Sequence, residues 1–80
     1  MKVINPQELE NNQLLEIGKH IRFLRKTKTN LSAENFAHEN GFDRVQYSRI
    51  ENGANITLKT LFKVLAVYKM SLKDFANSMD

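Results

Sequence analysis

The sequence contains no cysteine and no tryptophan, a single proline and only three glycines. Because cysteine is absent, disulfides, thiol nucleophiles and thiolate metal ligands are excluded. No stretch approaches the roughly 20 consecutive apolar residues that a membrane-spanning helix needs. The first ten residues, MKVINPQELE, are too polar for a signal peptide. These absences predict a cytoplasmic protein that does not enter a membrane.

Side chains arranged for catalysis or for holding a cofactor are also missing. Gly18, Gly41 and Gly53 are isolated from one another, so the chain has no glycine-rich phosphate loop. His20 and His38 lack the spacing of metal ligands and are interpreted as packing or surface residues. No serine or histidine lies in a pattern that pairs a nucleophile with a base. The sequence predicts no metal, no cofactor and no enzymatic activity.

The chain has 80 residues, 41% of them apolar, which suffices for one small domain. A core of that size is marginal, so self-association would help to stabilise it. We divide the chain into residues 1–11, a tail or short helix, and residues 12–80, the folded domain. Asn5 and Pro6 suit a helix start. Asn11 and Asn12 are poor helix formers, which predicts a break or a restart at that point.

Apolar residues recur at helical spacing along the rest of the chain. Leu14, Ile17, Ile21 and Leu24 form one stripe, which predicts a first helix over about 13–27. Further helices are predicted over about 33–40 and 44–52, followed by a fourth and a shorter fifth. Their capping residues are Ser32, Asp43, Thr57 and Ser71. The predicted fold is all-α, with five helices in one compact domain.

The second and third helices are joined by a turn at Gly41, where a helix can end with positive φ. Gly53 is expected to end the third helix in the same way. Tyr47 and Ile50 lie one helical turn apart, so both are expected to point inward. Two short helices joined by a turn containing glycine make a helix-turn-helix, here at about 33–52.

The run Tyr47-Ser48-Arg49-Ile50-Glu51-Asn52-Gly53 resembles the signature of the Cro/C1-type (XRE family) helix-turn-helix regulators. The resemblance extends upstream to residues 18–25 and downstream from Thr57 to Phe75. It implies a lambda-repressor-like DNA-binding domain, with the helix at 44–52 in the major groove. Short regulators of this type resemble restriction–modification controller proteins and antitoxins of toxin–antitoxin pairs.

Residues near the start of that helix reach base edges in such domains. The candidates here are Arg44, Val45, Gln46 and Arg49. Arginine binds guanine through two hydrogen bonds, glutamine binds adenine in the same manner, and valine contacts the thymine methyl group. The alternative for the two arginines is that they are surface charges or contact only phosphates.

Five basic residues and no acid lie between Lys19 and Lys28, which is the charge pattern of a phosphate-binding surface. The alternative is a solvated helix end, where cations favour the helix dipole. The family usually has glutamine where this chain has Ala33, so the phosphate clamp is either lost or replaced by Lys28. The candidate phosphate contacts are Ser32, Lys26, Lys28, Tyr47, Ser48 and Asn52.

The resemblance also implies that Glu51 pairs with Arg25 and thereby ties the third helix to the first. The alternative is a solvated Glu51. An ion pair of this kind would be structural, because it anchors the helix that approaches DNA.

Together these features predict a sequence-specific DNA-binding transcriptional regulator. Two copies would form a homodimer, each reading one half-site, and the bound dimer would block or recruit polymerase. The predicted dimer surface is the fifth helix and the exposed side of the fourth, around Phe62, Val67, Met70 and Phe75. The alternative is an antitoxin or protein-interaction module whose main partner is a toxin or another protein, which the excess of apolar residues on the fourth helix would favour.

Overall fold

The structure is a computed structural model that describes residues 5–79, and these residues form five α-helices and no strand. Any role of the first four residues as a tail lies outside the described part. The all-α prediction is confirmed. The helices are α1 (Pro6–Lys28), α2 (Ala33–Glu39), α3 (Arg44–Glu51), α4 (Leu58–Val67) and α5 (Leu72–Asn77).

Helix α1 is longer than the sequence pattern predicted. It begins at Pro6, where the Asn5 side chain accepts a hydrogen bond from the Glu8 amide at 2.8 Å. It then continues through Asn11 and Asn12, so the predicted break is wrong. The reason is that each asparagine costs well under ~1 kcal/mol of helix propensity, which a long helix tolerates. The boundary that we placed at residue 11 therefore does not coincide with a helix end.

The other helices begin at their predicted caps. The Ser32 hydroxyl accepts from the Asn35 amide at 3.1 Å, and the Asp43 carboxylate accepts from the Gln46 amide at 2.8 Å. Thr57 caps α4, and Ser71 forms a complete capping box at the start of α5. Because capping depends on residues three positions apart, local sequence was enough to place these four starts.

Both predicted glycine turns are present. Gly41 has φ +76° and Gly53 has φ +95°. A third turn was not anticipated: Lys69, between α4 and α5, has φ +56°. Lysine carries no signal for this conformation, which is uncommon for any residue with a Cβ.

The core joins all five helices. Tyr47 is 1% exposed and Ile50 is 3% exposed, so their predicted inward orientation is confirmed. Phe36 stacks among three other aromatic rings, with centroids 5.1–6.3 Å away. No helix within residues 5–79 has the length and apolar character needed to cross a membrane. The buried apolar residues are Ile21, Leu24, Phe36, Ala37, Tyr47, Ile50, Leu61, Val64, Leu65 and Phe75.

Phe75 does not lie where the predicted dimer surface requires it. It is 2% exposed and packs edge-on against His20, with ring centroids 5.0 Å apart. The prediction that it faces a partner subunit is wrong, because α5 turns this face toward α1. Phe62 and Val67 on α4 do remain exposed, at 47% and 38%.

Helices α1 and α3 approach each other very closely at Gly18. A Cβ atom at this position would lie 2.5 Å from the Ile50 carbonyl oxygen and 2.8 Å from that of Glu51. Only glycine allows this approach, which sets the position of α3 against the rest of the domain.

Candidate nucleic-acid interface

Helix α3 has one buried side and one open side. Tyr47, Ile50 and Glu51 are buried, whereas the remaining side chains point outward. Val45 is 59% exposed, although its side chain is apolar. The α3 outer face consists of Arg44, Val45, Gln46, Ser48 and Arg49. The helix therefore presents the base-contact candidates together on one uncovered surface, with charged, amide and apolar groups available.

Tyr47 is an exception among the predicted phosphate contacts. Its hydroxyl is buried and forms no hydrogen bond with the described residues. Burial is the main reason why the pKa of Tyr47 lies far above its ordinary value, and the nearby carboxylate of Glu51 raises that pKa further. Burial also raises the pKa of Tyr68 to about 12. The predicted phosphate contact through Tyr47 is wrong, because its ring fills the core beside Phe36.

Behind α3 lies the predicted ion pair. Arg25 donates from Nε to Glu51 Oε2 at 2.8 Å and from Nη2 to Glu51 Oε1 at 2.9 Å. It also donates from Nη1 to the Leu31 carbonyl oxygen at 2.9 Å. The two side chains are 9% and 1% exposed. The structure therefore contains the expected ion pair, which two hydrogen bonds hold together, and the alternative of a solvated Glu51 is wrong.

The pair shifts the pKa of both groups toward their charged forms. Burial alone would raise the pKa of Glu51, but the hydrogen bonds and positive charge of Arg25, with a further hydrogen bond from Arg22, outweigh burial and lower that pKa. The hydrogen bond with Glu51 raises the pKa of Arg25 despite the burial of the guanidinium. Both groups are therefore charged in the folded protein at neutral pH.

Arg22 belongs to the same network, although the resemblance implied only the pair of Arg25 with Glu51. Its Nε lies 3.3 Å from Glu51 Oε1, and its Nη2 donates to Asn52 Oδ1 at 3.2 Å. The Asn52 amide in turn donates to the Ser48 carbonyl oxygen at 2.8 Å. Arg22 precedes Arg25 by three positions, so their shared helix face was the available signal. Arg22 thus holds the exposed Asn52 side chain in place.

A second missed contact involves the N-terminal turn of α2. Glu34 forms an ion pair with Arg44 Nη1, and both side chains are about two-thirds exposed. Together with Ala33, Val45 and Arg49 they line an open groove of about 570 Å³ between α2 and α3. No sequence signal identifies this pair, because ten residues and a turn separate its members.

The basic end of α1 leads into the linker that precedes α2. Lys26, Lys28 and Ser32 are exposed, and neither lysine forms an ion pair with any residue in the described range. The linker to α2 is ordered by Thr29, whose hydroxyl donates to the Arg25 carbonyl oxygen at 2.7 Å and accepts from the Leu31 amide at 3.1 Å. The basic end of α1 is therefore joined to the start of α2 by a short linker that Thr29 orders through two hydrogen bonds.

Neither histidine lines the groove: His20 is buried, and His38 is exposed in the last turn of α2. His20 packs between Phe23 and Phe75, and its Nε2 lies 2.6 Å from the Ser78 hydroxyl oxygen. Burial lowers the pKa of His20. Across residues 5–79 the structure brings together no cluster of histidine and acidic side chains able to hold a metal ion.

Comparison with known proteins agrees with this architecture. The model of the helix-turn-helix family matches residues 21–75, well over half of the chain. The chain therefore belongs to the helix-turn-helix family, and it is a DNA-binding transcriptional regulator of the Cro/C1 type. It is similar to the control protein C.MunI from Mycoplasma sp., with 37% identity over 71 residues that cover 88% of this chain and 96% of that protein. No solved structure matches the chain.

Proposed function

We propose that the chain controls transcription as a cytoplasmic homodimer without enzymatic activity, each subunit reading one operator half-site through α3. The observation that carries this proposal is the α3 outer face, which is open to solvent while Tyr47 and Ile50 anchor the helix from behind. A helix with these dimensions fits the major groove. The similarity to a protein named as a control protein supports the same role.

Each base-contact candidate on the α3 outer face carries a group that suits a particular part of a base edge. Arg44, Gln46 and Arg49 supply hydrogen-bond donors for purine edges, and Val45 supplies apolar surface for a thymine methyl group. The proposed phosphate contacts lie at the end of α1, at the start of α2, and on or just after α3. They are Ser32, Lys26, Lys28, Ser48 and Asn52, with Tyr47 removed because it is buried.

A homodimer would use the apolar side chains that the monomer leaves exposed on α4 and at the start of α5. Leu58, Phe62 and Leu72 are 62%, 47% and 44% exposed. Burying them would add apolar area to a small core, which supports self-association. The alternative of a protein-interaction module with a toxin partner gains no support from the family or from the relative.

The proposed function is tested by selecting bound sequences from a pool of random duplex DNA. We expect enrichment of an inverted repeat whose half-sites are centred about 34 Å apart, one turn of DNA. Analytical ultracentrifugation of the complex should show two chains on each duplex. Failure to enrich any sequence would overturn the proposal, and enrichment of a single unrepeated site would overturn its symmetric form.

Replacing Arg44 by alanine should weaken binding to the selected site by roughly tenfold to a hundredfold, because one pair of hydrogen bonds to a base is lost. Binding to random DNA should change far less. The matched control is Lys28→Ala, which should weaken binding to both DNAs alike. It should also lower the salt slope, the steepness with which log affinity falls against log salt concentration, by about one unit. Titrations at several salt concentrations measure both effects. Equal loss on both DNAs for Arg44→Ala would exclude a base contact.

A further inference from the structure

Glu34 is an acid on the surface that faces DNA in the proposed function, and its position there requires a reason. Its ion pair with Arg44 is exposed, and exposed pairs contribute only ~0–1 kcal/mol to stability. A carboxylate beside the phosphate backbone also opposes binding. Glu34 also lies in the first turn of α2, where an acid favours the helix dipole by ~0.3–1 kcal/mol. Beyond these small contributions to stability, the ion pair constrains Arg44 on the surface that faces DNA.

The geometry of the pair leaves Arg44 equipped for a base. Glu34 accepts through one oxygen from Nη1 of Arg44. Among residues 5–79 the guanidinium has no other hydrogen-bond partner, so its Nε–H and Nη2–H edge remains open. That edge carries two parallel donors, which is the arrangement that binds guanine N7 and O6. The carboxylate can therefore stay in place while Arg44 contacts the base.

We propose that Glu34 is a positioning residue for Arg44, which sharpens discrimination for guanine at one base pair of the half-site. This inference rests on the proposed function. Glu34 holds a long, flexible side chain in one orientation, which lowers the entropy lost on binding the base. It also neutralises Arg44 locally, so that the guanidinium does not bind phosphates of any sequence. Specificity depends on the difference between the affinity for the half-site and the affinity for random DNA, and Glu34 changes both of these affinities.

The test compares wild type with Glu34→Gln on the site selected from the random pool and on random duplex DNA. We expect random DNA to bind about fivefold more tightly, the size of effect that an exposed ion pair allows. Its salt slope should steepen by about one unit, since Arg44 is free to contact a phosphate. The selected site should gain little, because lost orientation offsets reduced repulsion. The ratio of the two affinities should fall roughly threefold to fivefold.

The matched control is Glu39→Gln, which removes the same charge from the exposed last turn of α2, where Glu39 forms no ion pair with the described residues. It should leave the affinity ratio unchanged. Base substitutions in the selected site provide a second readout: Glu34→Gln should weaken discrimination at the base pair read by Arg44 and at no other. In an Arg44→Ala background, Glu34→Gln should raise both affinities alike.

Two results would overturn the proposal while leaving the proposed function intact. One is an unchanged affinity ratio in Glu34→Gln, and the other is an equal change in Glu39→Gln, which would reduce the effect to net charge. If the wild-type chain shows no preference for any sequence, the proposed function fails and this inference fails with it. Because both glutamates are exposed, neither variant is expected to alter folding, which circular dichroism can verify.

Discussion

Replacing Glu51 by alanine is expected to lower the free energy of unfolding by about 3–5 kcal/mol, the cost of breaking a buried ion pair from one side. The Arg25 side chain, which is 9% exposed in the intact protein, would lose its main partner. Because arginine does not lose its proton in proteins, it has no route to neutralise the stranded charge. Many domains have only 5–15 kcal/mol of stability in total, so this loss is large. Urea denaturation followed by circular dichroism measures it.

The matched control for Glu51→Ala is Glu16→Ala. Glu16 also pairs with a cation, Lys19, at 3.9 Å, but both side chains are more than 60% exposed. Its loss should change stability by less than about 0.5 kcal/mol. A double replacement of Arg25 and Glu51 by methionine should recover much of the loss, since no unpaired charge remains. Similar stability losses for Glu51→Ala and Glu16→Ala would contradict a buried role for the pair.

The same pair makes stability depend on pH in the acid range. The folded state lowers the pKa of Glu51 below its ordinary 4.5, so the unfolded chain binds more protons over that interval. The contribution is complete above about pH 4.5 and is lost as pH falls through the folded-state pKa. Glu51→Gln does not titrate, so its stability deficit relative to wild type should shrink between pH 5 and pH 3. A constant deficit over that range would show that the pKa of Glu51 is not lowered.

Replacing Gly18 by alanine should destabilise the domain by roughly 1–3 kcal/mol, even though alanine is the better helix former by ~1 kcal/mol. The added Cβ would lie 2.5 Å from one α3 carbonyl oxygen and 2.8 Å from the next. Those atoms belong to the backbone, so relief requires α1 and α3 to move apart. Urea denaturation measures the stability change.

Moving α3 would also shift the α3 outer face. We therefore expect Gly18→Ala to weaken binding to the selected site even at temperatures where the variant is fully folded. The control is Gly41→Ala, which meets no atom within 4 Å and is strained only by its φ of +76°. It should cost about 1–2 kcal/mol without a comparable loss of DNA affinity in the folded variant. A Gly18→Ala variant at least as stable as wild type would disprove the close approach of the helices.

Sequence was sufficient wherever the signal was local. The starts of four helices follow from Ser32, Asp43, Thr57 and Ser71, and the turn between α2 and α3 follows from Gly41. A capping bond or a positive φ involves neighbours within a few positions, so its energy is nearly independent of the rest of the fold. The sequence also predicted that Tyr47 and Ile50 point inward from α3, and the family resemblance implied that Arg25 pairs with Glu51.

Tertiary structure alone decided how these helices meet. Glu34 reaches Arg44, Arg22 reaches Asn52 and Phe75 turns toward His20 only because of the angles and distances at which the helices pack. The burial of the Tyr47 hydroxyl has the same origin. Contacts between residues 10 to 55 positions apart depend on the summed packing of the core, which no short stretch of sequence encodes. The sequence by itself therefore determined which helix carries the candidate contacts, and the packed fold decided which side chains on it are free.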